Sequence, residues 1–471
     1  MHEDAATTSG TRGAARQGIR RWAGPLAALT TLALLTAGCT GSPGAKPEPA
    51  PEPTTSAATP QGPSVDLTFG VFGPPAEIDA FRAVVRGYNA TSDDSTVRLR
   101  SWASHDSLLA DVKNGVEVPD VFLASRSDLA WLRDKKITQP VDDLLDERGV
   151  NFGDDYSRDA LQAYSVDNRL QCMPFGISPM VIYYNRRLID FDRMLARGLD
   201  VPRVSSGTVR WNFDQFANAA AFATRPARRT RGVYVDPTLR GLAPFIYSGG
   251  GSLFDDEVNP TSLALSDGDS LSALERTLSL LRDPQLTLTE GQLKRATPLE
   301  WFERGRLGMV EGFRSLVPEL RRVPGLEFDV MPMPVLDSYA TVGDISGLCL
   351  SARAASTPEA ADFLVFATST DSVARLARAG SLAPANLEVA LSDDFLQPGR
   401  QPEHAAVFNT AVRTMEIPPL LDSVPALEAA VAPDLRDLLT VPVLDLEAAT
   451  QRIDETSREV LAPESASPSP E

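Results

Sequence analysis

The chain has 471 residues, and its 63 Asp and Glu against 45 Lys and Arg give a formal net charge of −18. Because binding to phosphate backbones needs clustered Lys and Arg, this acidic excess argues against nucleic acid as a partner. The sequence holds three histidines but no His-Glu-x-x-His motif, no Gly-x-Ser-x-Gly motif and no phosphate-binding loop. We therefore expect no enzyme, no metal site and no cofactor, in a chain long enough for two domains.

The first 38 residues have the features of a secretion signal. Residues 24–38 are apolar or small and end at Cys39, and the apolar run is shorter than the roughly 20 residues that span a bilayer. Positive charge precedes this run at Arg12, Arg16, Arg20 and Arg21.

The stretch "LALLTAGCT" resembles a bacterial lipoprotein signal, although Thr36 stands where an aliphatic residue is usual. The resemblance implies removal of residues 1–38 and lipidation of Cys39, which anchors the exported protein at the extracytoplasmic face of the cell membrane. The alternative is an ordinary signal peptide with a chance cysteine. The export route, general or twin-arginine, stays open.

Residues 39–64 are rich in Pro, Gly, Ser and Thr and carry almost no apolar bulk. Such a composition cannot form a core and predicts an extended linker. Residues 462–471 have the same character and are predicted to be a disordered tail.

From Val65 onward, strand and helix patterns alternate. "VDLTFGVFG" predicts a strand, "AEIDAFRAVVRGYNA" a helix with one apolar face, "TVRLRSW" a strand, "HDSLLADVKNG" a helix and "PDVFLAS" a buried strand. Strands that alternate with helices are joined by right-handed crossovers and form a parallel sheet with helices on both faces. The fold class is therefore α/β.

The next block is richer in helices. "WNFDQFANAAAFAT" and "LAPFIYSGGGSLFDD" predict helices, while "LGMVEGF" and "LEFDVMPMP" predict strands. "GLCLSARAASTPEAADFLVFATS" then predicts one more strand and helix, and the remaining chain is mostly helical.

This order of motifs resembles the extracellular solute-binding proteins of bacterial ABC importers, in the sugar-type branch. The matching stretches include "EIDAFRAVVRGYN", "PDVFLASRSDLAWLRDKKITQPVDDLL", "QCMPFGISPMVIYYNRRLID", "YSGGGSLFDD" and "FERGRLGMVEGF". They extend over almost the whole predicted mature chain.

The resemblance implies a two-lobed periplasmic-binding-protein-like fold of type II, with a ligand cleft between lobes joined by hinge strands. The expected divisions are lobe 1 at 65–183 and 338–390, and lobe 2 at 184–337 and 391–461. By this resemblance, a bound solute is expected to shift an open–closed equilibrium towards closure about the hinge, and the closed form is expected to be what the permease subunits of the importer recognise. A small solute is expected, with a mono- or oligosaccharide favoured, and the chain is expected to be a monomer.

Two other functions stay open: a ligand-sensing lipoprotein that feeds a signalling partner, and a secreted glycosidase. A glycosidase needs two carboxylates on facing strand ends, and no motif in the sequence indicates such a pair.

If Cys39 carries lipid, Cys172 and Cys349 remain, either as a disulfide or as two buried thiols. The family resemblance places both of their strands in the first lobe near the hinge. A bridge between them is therefore compatible with the fold.

Ligand contacts are expected on loops at the carboxyl ends of parallel strands, where aromatic faces and polar groups suit a sugar. The alternatives are that Trp211 packs at a helix start and that Arg314 is a surface arginine. If Arg126 and Arg314 share one cleft, an acidic ligand is favoured instead. The candidate ligand-binding residues are Phe72, Gly73, Trp102, Asp106, Ser125, Arg126, Phe175, Ser178, Trp211, Tyr247, Gly249, Gly250, Glu311, Phe313, Arg314 and Asp344.

Overall fold

The computed structural model describes residues 64–205 and 208–463. The predicted signal and Cys39, and almost all of the linker and tail, lie outside them. The strands are β1 Val65–Phe72, β2 Ser95–Trp102, β3 Val121–Ser125, β4 Thr138–Gln139, β5 Ser165–Val166, β6 Arg169–Leu170, β7 Cys172–Pro179, β8 Val181–Asn185, β9 Arg203–Ser205, β10 Thr208–Arg210, β11 Arg231–Tyr234, β12 Leu307–Gly312, β13 Phe328–Met331 and β14 Gly343–Ser351.

Helices account for most of the other described residues. The first ten are α1 Pro75–Asn89, α2 His105–Lys113, α3 Leu129–Asp134, α4 Asp142–Asp146, α5 Phe152–Asp155, α6 Arg158–Ala163, α7 Phe191–Ala196, α8 Phe213–Ala223, α9 Leu239–Ser248 and α10 Gly268–Leu281. The others are α11 Glu290–Leu293, α12 Pro298–Glu303, α13 Val317–Leu320, α14 Thr357–Thr368, α15 Thr370–Ala379, α16 Leu387–Ala390, α17 Asp393–Leu396, α18 Ala406–Ala411, α19 Val424–Thr440 and α20 Leu446–Leu461. No helix among the described residues is long and apolar enough to cross a membrane.

The first sheet has six strands in the order β2-β1-β3-β14-β4, with β7 also paired to β14. β1 runs parallel to β2 and β3, as the alternating pattern predicts. β14 is antiparallel to β3, β4 and β7. The sheet is therefore mixed rather than purely parallel, because β14 re-enters it from the second sheet instead of through a helical crossover.

The second sheet has four strands in the order β11-β12-β8-β13. β11 and β12 are parallel, and β8 runs antiparallel to both β12 and β13. β8 begins at Val181, immediately after Met180, so the chain passes from one sheet to the other within a single residue.

Aromatic rings join helices to the first sheet. The ring of Phe69 on β1 meets that of Phe81 on α1 at 5.6 Å and that of Phe363 on α14 at 5.0 Å, both edge to face. All three rings are buried, and burying one such side chain contributes about 1.5–3 kcal/mol. The apolar face predicted for the first helix therefore packs on the sheet.

A disulfide joins Cys172 on β7 to Cys349 on β14, with an S–S distance of 1.99 Å. These residues are paired directly across the two antiparallel strands. The bond thus lies within the six-stranded sheet, and both sulfurs are buried.

The last two helices pack on elements that precede β12. The guanidinium of Arg282, just after α10, donates to the carbonyl oxygens of Leu438 and Val441 at the end of α19. The carboxylate of Asp454 on α20 accepts from the backbone N–H groups of Leu265 and Ser266. The C-terminal helices are therefore held beside α10.

Candidate functional site

In both sheets, the carboxyl ends of the parallel strands lie beside the segments through which the chain passes from one sheet to the other. In the first sheet, Ser125 at the end of β3 pairs with Ser346, near the start of β14. In the second sheet, Gly312 at the end of β12 pairs with Val181, where β8 begins. Since β8 and β14 begin where the chain crosses between the sheets, the two sets of strand ends face one cleft.

The crossing segments are hydrogen-bonded to one another through Thr341, which is buried. Its N–H donates to Thr414 (2.9 Å), its carbonyl accepts from Glu416 (2.8 Å), and its hydroxyl donates to the carbonyl of Met180 (2.8 Å). Gly343 follows, and a Cβ there would lie 2.0 Å from Sδ of Met415. Close contact of these segments defines the hinge, which we take as Met180, Thr341–Gly343 and Thr414–Glu416.

Aromatic residues end the first two strands of the six-stranded sheet. Phe72 and Trp102 occupy equivalent positions on the parallel strands β1 and β2, and both are half-buried. The indole N–H of Trp102 donates to the carboxylate of Asp111 at 2.8 Å, which fixes the ring. Gly73, after β1, has φ +147°, a backbone conformation that side chains disfavour.

A histidine–aspartate pair, which the sequence did not predict, lies beside these rings. Nε2 of His105 is 2.6 Å from Oδ2 of Asp128, and its ring meets that of Phe72 edge to face at 5.3 Å. The hydrogen bond to Asp128 is the main cause that raises the pKa of His105. Asp106, which was predicted, is largely exposed and makes a weaker 3.2 Å contact with the same imidazole.

Ser125 ends the third strand, and Arg126 follows it. Nε of Arg126 donates to the carbonyl of Ala163 (3.1 Å) and Nη1 to that of Pro418 (2.7 Å). Burial lowers the pKa of Arg126 to about 10. Two of its five N–H donors are therefore used within the protein.

The floor of the cleft is formed where β7, β14 and α9 approach. Ser178 and Asp344 are paired across β7 and β14, and Asp344 makes an ion pair with Arg240 of α9. The guanidinium of Arg240 also lies over the ring of Phe313, 4.1 Å from its centroid. Ser178 Oγ accepts from the backbone N–H of Arg314 at 3.1 Å. These contacts tie the first sheet to the second.

A buried carboxylate lies near the carboxyl end of β12 in the second sheet. Glu311 accepts the backbone N–H of Asp236 at 3.2 Å through Oε1, while its Oε2 is buried and has no partner in the described part of the chain. Burial and then the nearby carboxylate of Asp236 raise the pKa of Glu311. Gly241 permits this packing, because a Cβ there would lie 2.6 Å from Oε1.

Three candidate residues are interior rather than cleft-lining. Phe175 stacks on Phe81 in the core of the first lobe. Trp211, also buried, donates its indole N–H to the carbonyl of Pro332 at 2.8 Å, in line with the packing alternative. Arg314 has no exposed surface. The alternative that it is a surface arginine is therefore wrong, and its role as a ligand contact stays a prediction that this buried side chain does not support.

The remaining candidates lie at the end of α9. Tyr247 is half-buried, and burial followed by the carboxylates of Glu416 and Glu257 raises its pKa. Gly249 allows close approach of α10, since a Cβ there would lie 2.5 Å from Cβ of Ala273. Gly250 has φ +87° and turns the chain after the helix. Helix packing at Gly249 and the turn at Gly250 therefore explain the presence of glycine at these positions without a ligand contact.

Sequence reasoning missed His105, Asp128, Asp236 and Arg240. Each follows a strand or begins a helix at the strand ends, which is the signal that could have identified it. No group of three or more His, Cys, Asp or Glu side chains arranged for a metal ion occurs among residues 64–205 and 208–463.

Comparison with known proteins places these features in a family. The family model described as bacterial extracellular solute-binding protein matches residues 83–402. No curated protein sequence matches the chain significantly.

Solved structures share the fold at low sequence identity. An ABC substrate-binding protein from Listeria monocytogenes, in complex with cycloalternan, aligns with TM-score 0.71 and 18% identity over 84% of this chain and 98% of that one. The GacH receptor of Streptomyces glaucescens gives 0.68 and 16% over 84% and 98%. The maltotriose-binding protein of Thermus thermophilus gives 0.64 and 14% over 84% and 100%. The predicted two-lobed α/β fold is confirmed.

Proposed function

This chain belongs to the family of bacterial extracellular solute-binding proteins, and from that membership we propose that it is the substrate-binding component of an ABC importer. Its cargo is a mono- or oligosaccharide, captured by closure about the hinge and delivered to the permease. The family is one of binding proteins, in agreement with the expectation that the chain is not an enzyme.

One observation carries the choice of ligand: strand ends of both sheets present aromatic rings and carboxylates to one cleft. Phe72, Trp102 and Phe313 are half-buried. Aromatic faces suit the C–H surface of a sugar ring, while carboxylate oxygens accept hydrogen bonds from its hydroxyl groups.

The charges of the cleft favour a neutral solute over an acidic one. The guanidinium of Arg314 is buried and donates to two backbone carbonyls, and that of Arg126 also donates to two backbone carbonyls. Asp344 is paired with Arg240, while Asp236 stays exposed. The condition set for an acidic ligand, Arg126 and Arg314 free in the same cleft, is therefore not supported. The similar structures contain cycloalternan, acarbose and maltotriose as the ligands of those proteins, which supports a sugar here.

The proposal includes membrane attachment by lipid on Cys39, with residues 39–64 as an extended linker. It also includes the division of the chain into lobe 1, at 65–183 and 338–390, and lobe 2, at 184–337 and 391–461. The signal-like sequence before Cys39 supports the anchor. The sheet assignments of β1 to β3 and β14 on one side, and of β8 and β11 to β13 on the other, support the division.

The test is a thermal-shift screen of the purified protein against mono- and oligosaccharides, polyols, sugar acids and peptides. A ligand at about 100 times its dissociation constant adds roughly 2.7 kcal/mol to stability, which raises Tm measurably. We expect a shift with one class of neutral sugar. A shift with peptides or sugar acids alone would contradict the proposed cargo, and turnover of the bound sugar would indicate an enzyme.

A further inference from the structure

A cluster of arginines without carboxylates lies behind the cleft, at the end of β12. Its members are Arg314, Arg321 and Arg400. Among the residues that the structure describes, no ion pair joins any of them to an acidic side chain. Arg314 is fully buried and Arg321 is half-buried. Buried charges are normally paired, so the missing counter-charge needs an explanation.

Arg314 and Arg321 are anchored on the same two pieces of chain. Nε of Arg314 donates to the carbonyl of Gly380 and Nη2 to that of Phe395, both at 2.9 Å. Arg321 donates to the side-chain oxygen of Gln397 and lies 3.2 Å from the Cβ position of Gly380. The two guanidinium groups are therefore neighbours.

Each of these groups retains a buried nitrogen that donates to nothing in the described chain. These atoms are Nη1 of Arg314 and Nη2 of Arg321. A buried donor left without an acceptor costs about 1–3 kcal/mol, and more when it is charged.

The surroundings reinforce the positive charge. Arg400 shares the Gln397 oxygen with Arg321 at 3.2 Å. After burial, repulsion by Arg400 and Arg314 contributes to lowering the pKa of Arg321 to about 10. Arg400 is exposed, so the cluster extends from the buried Arg314 to the protein surface.

We propose that the unpartnered nitrogens of Arg314 and Arg321 hold a monatomic anion such as chloride. The ion supplies the missing negative charge and accepts both N–H groups. It joins β12 and α13 of the second lobe to the segment from Gly380 to Gln397, and it is separate from the solute cleft.

The first test measures Tm against sodium chloride at constant ionic strength, with sodium gluconate as the balancing salt. We expect a saturating rise of roughly 1–4 °C, because a binding site saturates whereas general salt effects do not. Arg321→Gln removes the response. Arg322→Gln is the matched control, since Arg322 is the exposed neighbour and loses the same charge.

The second test is independent of any variant. Crystals soaked in sodium bromide are expected to show an anomalous peak between the guanidinium groups of Arg314 and Arg321. Density for water alone at that point, with equal chloride responses in the wild type and Arg321→Gln, would overturn the proposal. If Arg321→Gln does not fold, the bromide experiment on the wild type decides.

Discussion

The cleft has two edges that are built differently: the first edge is formed by the strand ends of the six-stranded sheet, and the second edge by those of the four-stranded sheet. At the first edge, Phe72, Trp102 and His105 are partly exposed, and their contacts are to residues of the same lobe. At the second edge, Glu311 and Arg314 are buried, and Arg314 is hydrogen-bonded to residues more than 60 positions away in the sequence.

This difference separates recognition from support. A side chain that keeps free surface can contact a ligand, whereas one whose polar atoms are buried against backbone mainly fixes the position of its own loop. The first edge is therefore better suited to contact the solute, whereas the second edge fixes the position of the floor of the cleft.

The largest effect is expected on stability at the second edge. Arg314→Ala removes two hydrogen bonds, leaves buried carbonyls without donors and creates a void, which together cost about 3 kcal/mol. Urea unfolding followed by fluorescence measures the loss. Arg126→Ala is the matched control, because its two carbonyl contacts lie closer to solvent, and it is expected to cost about 1 kcal/mol. Equal losses for the two variants would remove the distinction between the edges.

The next effect is on ligand affinity at the first edge. Trp102→Ala removes an aromatic face and is expected to weaken sugar binding by about 2 kcal/mol, or roughly 30-fold in Kd, with a small change in Tm. Isothermal titration calorimetry with the sugar found in the screen measures it.

Trp131→Ala provides the control for this affinity measurement. Trp131 is also half-buried, but it lies on α3 under the ammonium of Lys113 rather than at a strand end. Its loss is expected to leave Kd unchanged. A comparable loss of affinity in both variants would show that Trp102 acts through packing.

The smallest effect is a dependence of stability on pH. Because the pKa of His105 is raised in the folded state, its pair with Asp128 stabilises most at pH below about 6.5, the ordinary value for histidine, and this contribution is lost as pH rises through the folded-state pKa. The stability difference between wild type and His105→Gln is therefore expected to be about 0.5–1 kcal/mol at pH 5.5 and smaller at pH 8.5.

Chemical denaturation at the two pH values measures this difference. Asp106→Asn is the control, since its contact with His105 is the weaker one, and a smaller pH dependence is expected. A wild-type advantage over His105→Gln that grows towards pH 8.5 would contradict the assignment.

Local pattern was enough to predict the first edge. β1, β2 and the helices after them are adjacent in sequence, so Phe72 and Trp102 could be placed at strand ends from residue spacing alone. The strand order β2-β1-β3 could not be read in this way. That order brings the residues after β2 and β3 together around β1, which is why the contact of His105 with Asp128, 23 residues away, was missed.

Burial at the second edge depends on distant parts of the chain. Arg314 follows a strand and precedes a helical turn, which is the pattern of a cleft residue. Its interior position results from Gly380, Phe395 and Phe408, whose rings and carbonyls enclose the guanidinium. Since these contacts span up to 94 positions, as Phe408 minus Arg314 gives, sequence spacing could not reveal them.

The disulfide joins the two ends of the chain segment that contains the four-stranded sheet. Cys172 and Cys349 are separated by 177 positions, and every strand of the four-stranded sheet lies between them. A protease that cuts the backbone once anywhere inside this span leaves one covalent molecule, which migrates as two fragments only after reduction. A single cut between Cys172 and Cys349 therefore does not release the part of the second lobe that this span contains.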